Sequence, residues 1–413
     1  MSGKYFLEYM CALKNELSVD EYMYSLENKT AKQYGYMPRP QKWILKFKDK
    51  PLLVCFIAFL LKVLFIIGGF VIHFRELIRM LFLKLNAQSI ESANDDVVYA
   101  LGFSERAYNV IPTVVKKNIV WIDFPWVDRP VAQRKSVDFI GLVSFRDLFE
   151  AFLYASIAPY SLVLKKQFNT TVLQTYTAFR WYLTHIVLSR VDCQGVVIAE
   201  HFDRWAVLTD SVVAEKRKNC CPHMSFDIVQ HGSLGLQNTK TVEHSFNFKI
   251  DIPCRLENVT SLYVYDAFSK DVFFDSILSL ESIGDIEVFY FKPSIQLVQV
   301  KVDKSLPIVL IVGHPICLNH QLMIYDQIKD YAVVYYKPHP TVKAPAEIKS
   351  REWVVIDEKN FFPAVDCVIS YPSTLVEEYS LHAVKCVVHP INAGPDEAFA
   401  TSSLILNFLS KVK

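Results

Sequence analysis

The sequence predicts an α/β protein of two doubly wound domains with mainly parallel sheets, preceded by a helical, membrane-associated region. Three observations carry that prediction. From about Val97 onward, short apolar runs alternate with amphipathic stretches, which is the pattern of βαβ units. After a polar, irregular region near 280–305 the same pattern restarts. Upstream of both, Leu52–Ile72 holds apolar or glycine residues broken only by Lys62, a length that suits a bilayer. The boundaries that follow are 1–90 for the helical region, 91–280 for the first α/β domain and 281–413 for the second.

Composition narrows the class. Lys plus Arg is 44 against Asp plus Glu at 43, and so even a balance argues against a nucleic-acid binder. Hydrophobic residues at 52% and charged residues at 21% exclude disorder as the dominant state. Nine scattered cysteines without a C-x-x-C pair make neither a disulfide framework nor a zinc ribbon. Cys367 and Cys386 sit inside apolar runs, where cysteine acts as a small buried hydrophobe. A reducing compartment is expected. Met1–Asp20 is mixed and acidic rather than basic then apolar, so no secretory signal is expected either.

The N-terminal region turns on Leu52–Ile72. Lys62 near its middle would cost a simple span about 2.5–3.5 kcal/mol on insertion scales. Arg39, Lys42, Lys46, Lys48 and Lys50 precede the segment, and Arg75, Arg79 and Lys84 follow it. Basic flanks on both sides give no preferred orientation across a bilayer. The expectation is a monotopic helix or a re-entrant hairpin bent at Gly68-Gly69, in the cytoplasmic leaflet of the inner membrane. Arg75–Leu85 continues it as a basic amphipathic helix. The competing reading is a buried core helix of a soluble domain.

Within the first α/β domain, Asn118–Phe124, Val137–Val143, Gly195–Glu200, Phe226–Gln230 and Ser261–Tyr265 read as strands. Thr170–Val191 and a segment from about Arg204 to Lys216 read as helices. In the second, the strands are Pro307–Val312, Tyr331–Tyr336, Trp353–Ile356, Val365–Ser370 and Lys385–His389. Helices fall at 317–329 and at Thr374–His382. Tandem domains of this kind are expected to face a cleft, with ligands at the carboxyl ends of the strands.

The chemistry-bearing residues cluster at those ends. Lys337-Pro338-His339-Pro340 follows a buried strand, and its prolines hold His339 in an extended turn. There His339 either meets a phosphate, with Lys337 adding charge, or caps a rigid turn. Ser373 and Thr374 open a helix, where free N–H groups make an anion site; the same residues also suit an ordinary cap. Glu377, one turn in, is placed to accept from ribose hydroxyls, whereas Glu378 points about 100° away and reads as solvated. His231, in Gln230-His231-Gly232, is either a general base or a turn histidine. Glu200 and Asp203 end the neighbouring strand as base, nucleophile, partner of His231 or, for Asp203, helix cap.

Strand–QHG, strand–G-x-P, strand–K-P-H-P and S-x-P-S-T-x-x-x-E, in that order over about 195–395, resemble bacterial GT-B glycosyltransferases with cytidine-activated donors. The group includes capsule and lipooligosaccharide sialyltransferases, polysialyltransferases, Kdo transferases and teichoic-acid glycerophosphotransferases. The resemblance implies a GT-B fold of two Rossmann-like domains. It puts nucleotide contacts at His339, Pro340, Ser373 and Thr374, with Gly313 on the adjacent loop. It places His231 in the active site, as in the glycerophosphotransferases and some Kdo transferases. Gln230 stands where the glycerophosphotransferases usually have Trp, and the acidic motif of the polysialyltransferases is absent here.

The implied function is glycosyl transfer from a CMP-Kdo or CMP-sialic acid type of nucleotide-sugar donor to a lipid-linked or cell-surface glycan acceptor. The alternatives are glycerophosphate transfer from CDP-glycerol and a GT-B enzyme using a UDP-sugar. Other readings are a nucleotide-sugar epimerase and a catalytically inactive scaffold at the membrane. No metal and no cofactor is called for, because no D-x-D lies at a strand end.

Overall fold

The computed structural model describes residues 3–25, 30–37, 47, 50–87, 97–128, 134–167, 170–232, 234–236, 242–243, 246–247, 252–281, 283–292, 295–300, 306–339, 344–359, 361–391 and 393–412. The chain divides into two compact units. The first is drawn from 1–25, 29–231 and 249–291, the second chiefly from 232–248 and 292–413. The helical N-terminal region therefore belongs to the first unit rather than standing apart. Helix α1 (Gly3–Ser25) is tied there by Asn15, whose amide donates to the Cys254 carbonyl at 2.8 Å and accepts from its N–H at 3.0 Å.

Helix α2 (Pro51–Asn86) starts with proline at its first turn, where the missing N–H costs nothing. It runs unbroken through Gly68-Gly69, so the expected hairpin bend is not made. Gly69 instead lets the Phe65 ring lie against the helix: a Cβ there would come within 3.1 Å of it. Gly35, with φ +62°, ends the turn of Ala31–Tyr34 and would collide with Ala58 if it carried a Cβ. Tyr24, Tyr34, Val54, Ala58 and Leu173 bury together around that contact.

The seven-stranded sheet of the first unit takes up β1 (Val98–Gly102), β2 (Ile119–Asp123), β3 (Ser136–Asp138), β4 (Gly195–Ile198) and β5 (Ser225–Val229). Between them lie α3 (Glu105–Val114), α4 (Phe145–Leu164), α5 (Ala178–Arg190) and α6 (Arg204–Asn219). Strand β6 (Val242–Glu243) leaves for the second unit, and β7 (Ser261–Val264) and β8 (Glu287–Tyr290) complete the sheet. Among the described residues its order is β8-β7-β5-β4-β1-β2-β3, parallel throughout. Chain order reverses between β1 and β4, so the crevice above their carboxyl ends is the expected ligand position.

Two sequence expectations change here. Val137–Val143 is not a strand beyond Asp138, because the Asp138 carboxylate accepts from the Ile140 N–H at 3.0 Å and turns Phe139–Leu142 into one helical turn. Thr170–Val191 splits into a 3₁₀ segment, Val172–Thr177, and α5. Strand β1 and helices α3 and α4 stand beyond the elements expected from the sequence.

In the second unit the main elements are β9 (Ile308–Val312), α7 (Leu318–Ile328), β10 (Val333–Lys337), β11 (Val354–Val355), β12 (Cys367–Ser370), α8 (Thr374–Leu381), β13 (Lys385–Val388) and α9 (Pro395–Val412). Its sheet runs β11-β10-β9-β12-β13-β6, all parallel. Here the reversal falls between β9 and β12. Two apolar clusters sandwich the sheet, one on α7 and α9 through Ile324, Ile405 and Leu409, the other on α8 through Val376 and Tyr379. The domain boundary predicted at 281 thus misses the 232–248 segment, which joins the second unit and adds β6 beside β13.

Candidate active site

At the first unit's switch point, β4 delivers Ala199, Glu200 and His201, and β5 delivers Gln230 and His231. Gln230 is buried and acts as a clamp: its amide donates to Ser269 Oγ at 3.1 Å and accepts from the Tyr265 N–H at 2.9 Å. That fixes the backbone from which His231 projects. The His231 Nδ1–H donates to the Ala199 carbonyl, and the His231 backbone N–H donates to His201 Nε2 at 3.1 Å. With Nδ1 holding the proton, the lone pair sits on Nε2. Burial, and then the charge of exposed Arg106, push the His231 pKa down to about 4. The ring is neutral at pH 7, and the residue keeps part of its surface open to solvent. The two imidazoles are 4.4 Å apart, and burial together with His231 holds His201 well below the usual histidine range.

The carboxylates take other parts than the sequence suggested. Asp203 caps α6, its Oδ1 accepting from the N–H groups of Trp205 and Ala206 at 2.9 and 3.1 Å. Burial and the nearby Glu16 raise its pKa to about 6. Glu200 is buried, and desolvation plus the Asp203 charge push its pKa up to about 8. One oxygen meets the Ala199 N–H at 3.3 Å, and the Ser104 hydroxyl also supports it. At neutral pH Glu200 is a carboxylic acid. A protonated acid is neither a base nor a nucleophile; Asp203, ionised at pH 7, spends its Oδ1 on the α6 N-terminus, which leaves His231 as the base oriented at the strand end.

This arrangement has a pH signature. The folded chain keeps the Glu200 proton where the unfolded chain, with a pKa near 4.5, has lost it. Stability from this group is therefore present at low pH and falls as pH rises through about 8. The buried histidines act oppositely, but their contribution is complete above pH 6.5. Between pH 6.5 and 8 a loss of about 2 kcal/mol is expected, shared with Glu378. Denaturant unfolding of Glu200→Gln across that interval should show a clearly shallower slope; an unchanged slope would contradict the assignment.

At the second unit's switch point, β9 delivers Gly313 and His314, β10 delivers Lys337 and His339, and β12 leads through Ser370 and Tyr371 into α8. His314 caps the turn that follows it, Nδ1 accepting from the Ile316 N–H at 3.3 Å. Its ring packs 4.8 Å from Tyr371 and edge-on to His339 at 5.3 Å. Burial and the His339 charge bring its pKa to about 4. Gly313 is needed because a Cβ would run into the Tyr336 ring and hydroxyl. Ser373 makes no side-chain cap to α8; its hydroxyl pairs with Ser370 Oγ at 2.9 Å instead. Thr374 begins the helix, and Glu377 is half-buried in its first turn.

Lys337 is a correction. Its ammonium is buried and donates to the carbonyls of Glu358, Lys359 and Phe361 at 2.9, 2.9 and 3.0 Å. All three donors are taken by these carbonyls, so none is left for a phosphate. Burial lowers its pKa to about 8. Glu378 differs as well: it is half-buried rather than solvated, and desolvation raises its pKa to about 7. Pro340 lies outside the described residues. His314, Tyr371 and His201 stand inside the strand-end motifs read from the sequence but without a role there, and Arg106 lies outside those motifs.

No protein-family model matches the chain, and no curated protein matches it. Among solved structures it is similar to the wall teichoic acid polymerase TagF, H444N, with CDPG. One such structure, from a 30 minute soak, aligns at TM-score 0.34 and 10% identity over 80% of this chain and 78% of that one. Another, from a 15 minute soak, aligns at 0.32 and 9% over 85% and 92%. Values this low fall short of a shared fold, and no residue role follows from them.

Proposed function

We propose that this chain is a transferase that moves a group from a cytidine-nucleotide donor to an acceptor hydroxyl by direct displacement, with His231 as the base. The observation that carries the reading is the state of the first switch point. One imidazole there is neutral and oriented, with its Nδ1–H spent on Ala199, while both nearby carboxyls are protonated or used as a cap. A double displacement through Glu200 lacks an ionised nucleophile, and Asp203 is held as the α6 cap, whereas a single displacement needs only a base. The donor nucleotide is assigned to the second switch point. His339, His314 and Tyr371 offer imidazole and ring surfaces there, and the start of α8 offers N–H groups and a positive dipole end for phosphate.

The favoured cargo is glycerol phosphate from CDP-glycerol, since Gln230-His231-Gly232 at a strand end is the element that resembles the glycerophosphotransferases. The acceptor oxygen attacks the β-phosphorus, the bridging P–O bond breaks, CMP leaves, and the hydroxyl proton passes to His231 Nε2. Glycosyl transfer from a CMP-sugar breaks a C–O bond instead and leaves all phosphorus in CMP.

Thermal shifts with CMP, CDP, UDP, GDP and ADP, run beside His339→Ala, test the nucleotide assignment. Selective stabilisation by CMP or CDP, lost in the variant, is expected. A preference for UDP or GDP would overturn the cytidine reading. Incubation with β-phosphate-labelled CDP-glycerol and a polyol-phosphate acceptor then reports the cargo, with label expected in the product.

A further inference from the structure

We propose that α2 and α4 together form a docking face for an anionic bilayer, lying in the membrane plane rather than crossing it. This inference is independent of the transferase reading.

Both helices are long and apolar enough to cross a membrane. They pack antiparallel in steady register. The Tyr160 hydroxyl donates to the Ile66 carbonyl at 2.9 Å, the Phe74 and Phe152 rings are 6.1 Å apart, and Lys84 donates to the carbonyls of Ile140 and Gly141 at 3.2 and 3.3 Å. On α2, Leu52, Phe56, Leu64, Ile67 and Phe70 are exposed, Leu64 by 63%. On α4, Phe149, Leu153 and Ile157 form an exposed stripe at a spacing of four. Two adjacent apolar stripes make a patch well beyond the isolated exposed side chains of a soluble surface.

The charged residue that seemed to spoil α2 is turned inward: Lys62 is 5% exposed and faces the Tyr36 ring. From Leu52 to Phe74 the outer face then carries no charge. The inner face is covered by protein from Val54 to Met80. A lone spanning helix meets lipid on every side, and its hydrocarbon stretch matches about 30 Å. This helix is about 54 Å long and one-sided throughout, which fits a helix half-sunk along its length.

Charge selects the occupant. Arg75, Arg79 and Arg146 are exposed beside one end of the face, and Lys165 and Lys166 follow α4 at the other. The acidic groups of both helices are engaged within the protein: Glu76 with Arg180, Asp147 with Arg190, and Glu150 with the Tyr154 hydroxyl. Anionic headgroups complement that rim. A second copy would bring the same cations face to face.

Co-sedimentation of the full chain, freed of detergent, tests this with vesicles of phosphatidylcholine alone or with about one-third phosphatidylglycerol. Binding should favour the anionic vesicles and weaken with salt. Neutralising the rim (Arg146→Gln, Lys165→Gln, Lys166→Gln) should weaken it roughly 100-fold. Phe149→Ser with Leu153→Ser and Ile157→Ser should lower it more than about tenfold with the melting midpoint retained, since all three are exposed. Tryptophan placed at Phe56, Phe70 or Phe82 should be quenched by brominated lipid at one common depth. Absence of vesicle binding, a dimer that protects the face, or depths that run from one leaflet to the other would each overturn the proposal.

Discussion

Replacing His231 by alanine should lower transfer to the acceptor hydroxyl by roughly 10²–10⁴-fold, the range for loss of a positioned general base. CMP affinity should be unchanged, because the nucleotide is assigned to other residues. The effect belongs in kcat rather than in KM for the donor. The pH profile offers a sharper check. Below its pKa His231 is protonated and cannot accept, so the acidic limb should fall near pH 4, not near the ordinary histidine value. Glu200→Gln should leave the rate within about threefold, since a neutral acid is exchanged for a neutral amide. A collapse of activity in Glu200→Gln, with His231→Ala near wild type, would reverse the roles given to the two residues.

Arg204→Met should destabilise the first unit by about 3–5 kcal/mol, the scale for stripping one partner from a buried ion pair. Arg204 is 5% exposed, and its guanidinium meets Glu16 at 3.1 Å and the Thr177 hydroxyl. The Arg204 backbone N–H donates to the same Glu16 oxygen at 3.2 Å, and its carbonyl accepts from the Trp181 indole at 3.0 Å. Four segments therefore converge on one residue: α1, the 3₁₀ turn before α5, α5 itself and the start of α6. Methionine would strip the guanidinium from the half-buried Glu16 carboxylate and leave it the backbone N–H of residue 204 in place of a charged partner. Pairing the change with Glu16→Gln should recover part of the loss in urea denaturation, because the orphaned charge goes with it. No recovery would place the cost in packing alone.

Much of the fold was legible because strands and helices announce themselves through side-chain periodicity. Gly195–Ile198, Ile308–Val312 and Cys367–Ser370 are buried on both faces and read as unbroken apolar runs. The α4 helix escaped notice because its exposed and buried stripes are both apolar, which erases the helical period. The 232–248 segment escaped for another reason: pairing Val242 with Cys386 is a long-range event without a local signal.

The candidate site divides the same way. Its positions, at strand ends before His231, His339 and Ser373, follow from sequence because strand ends are marked by Gly, Pro and small polar residues. Protonation states and hydrogen-bond partners do not. Glu200 and Asp203 are three residues apart and alike in type, yet one is a buried acid and the other a helix cap. Lys337 reads as a phosphate ligand until the carbonyls of residues 358, 359 and 361 are seen around it. Lys62 reads as a flaw in an apolar helix until it is seen facing inward. Alternation along the chain determines which segments are strands and helices, and hence the two parallel sheets and their switch points. Burial and partner choice depend on segments far apart in sequence, so only the tertiary structure decides which of these charges and protons are available for chemistry.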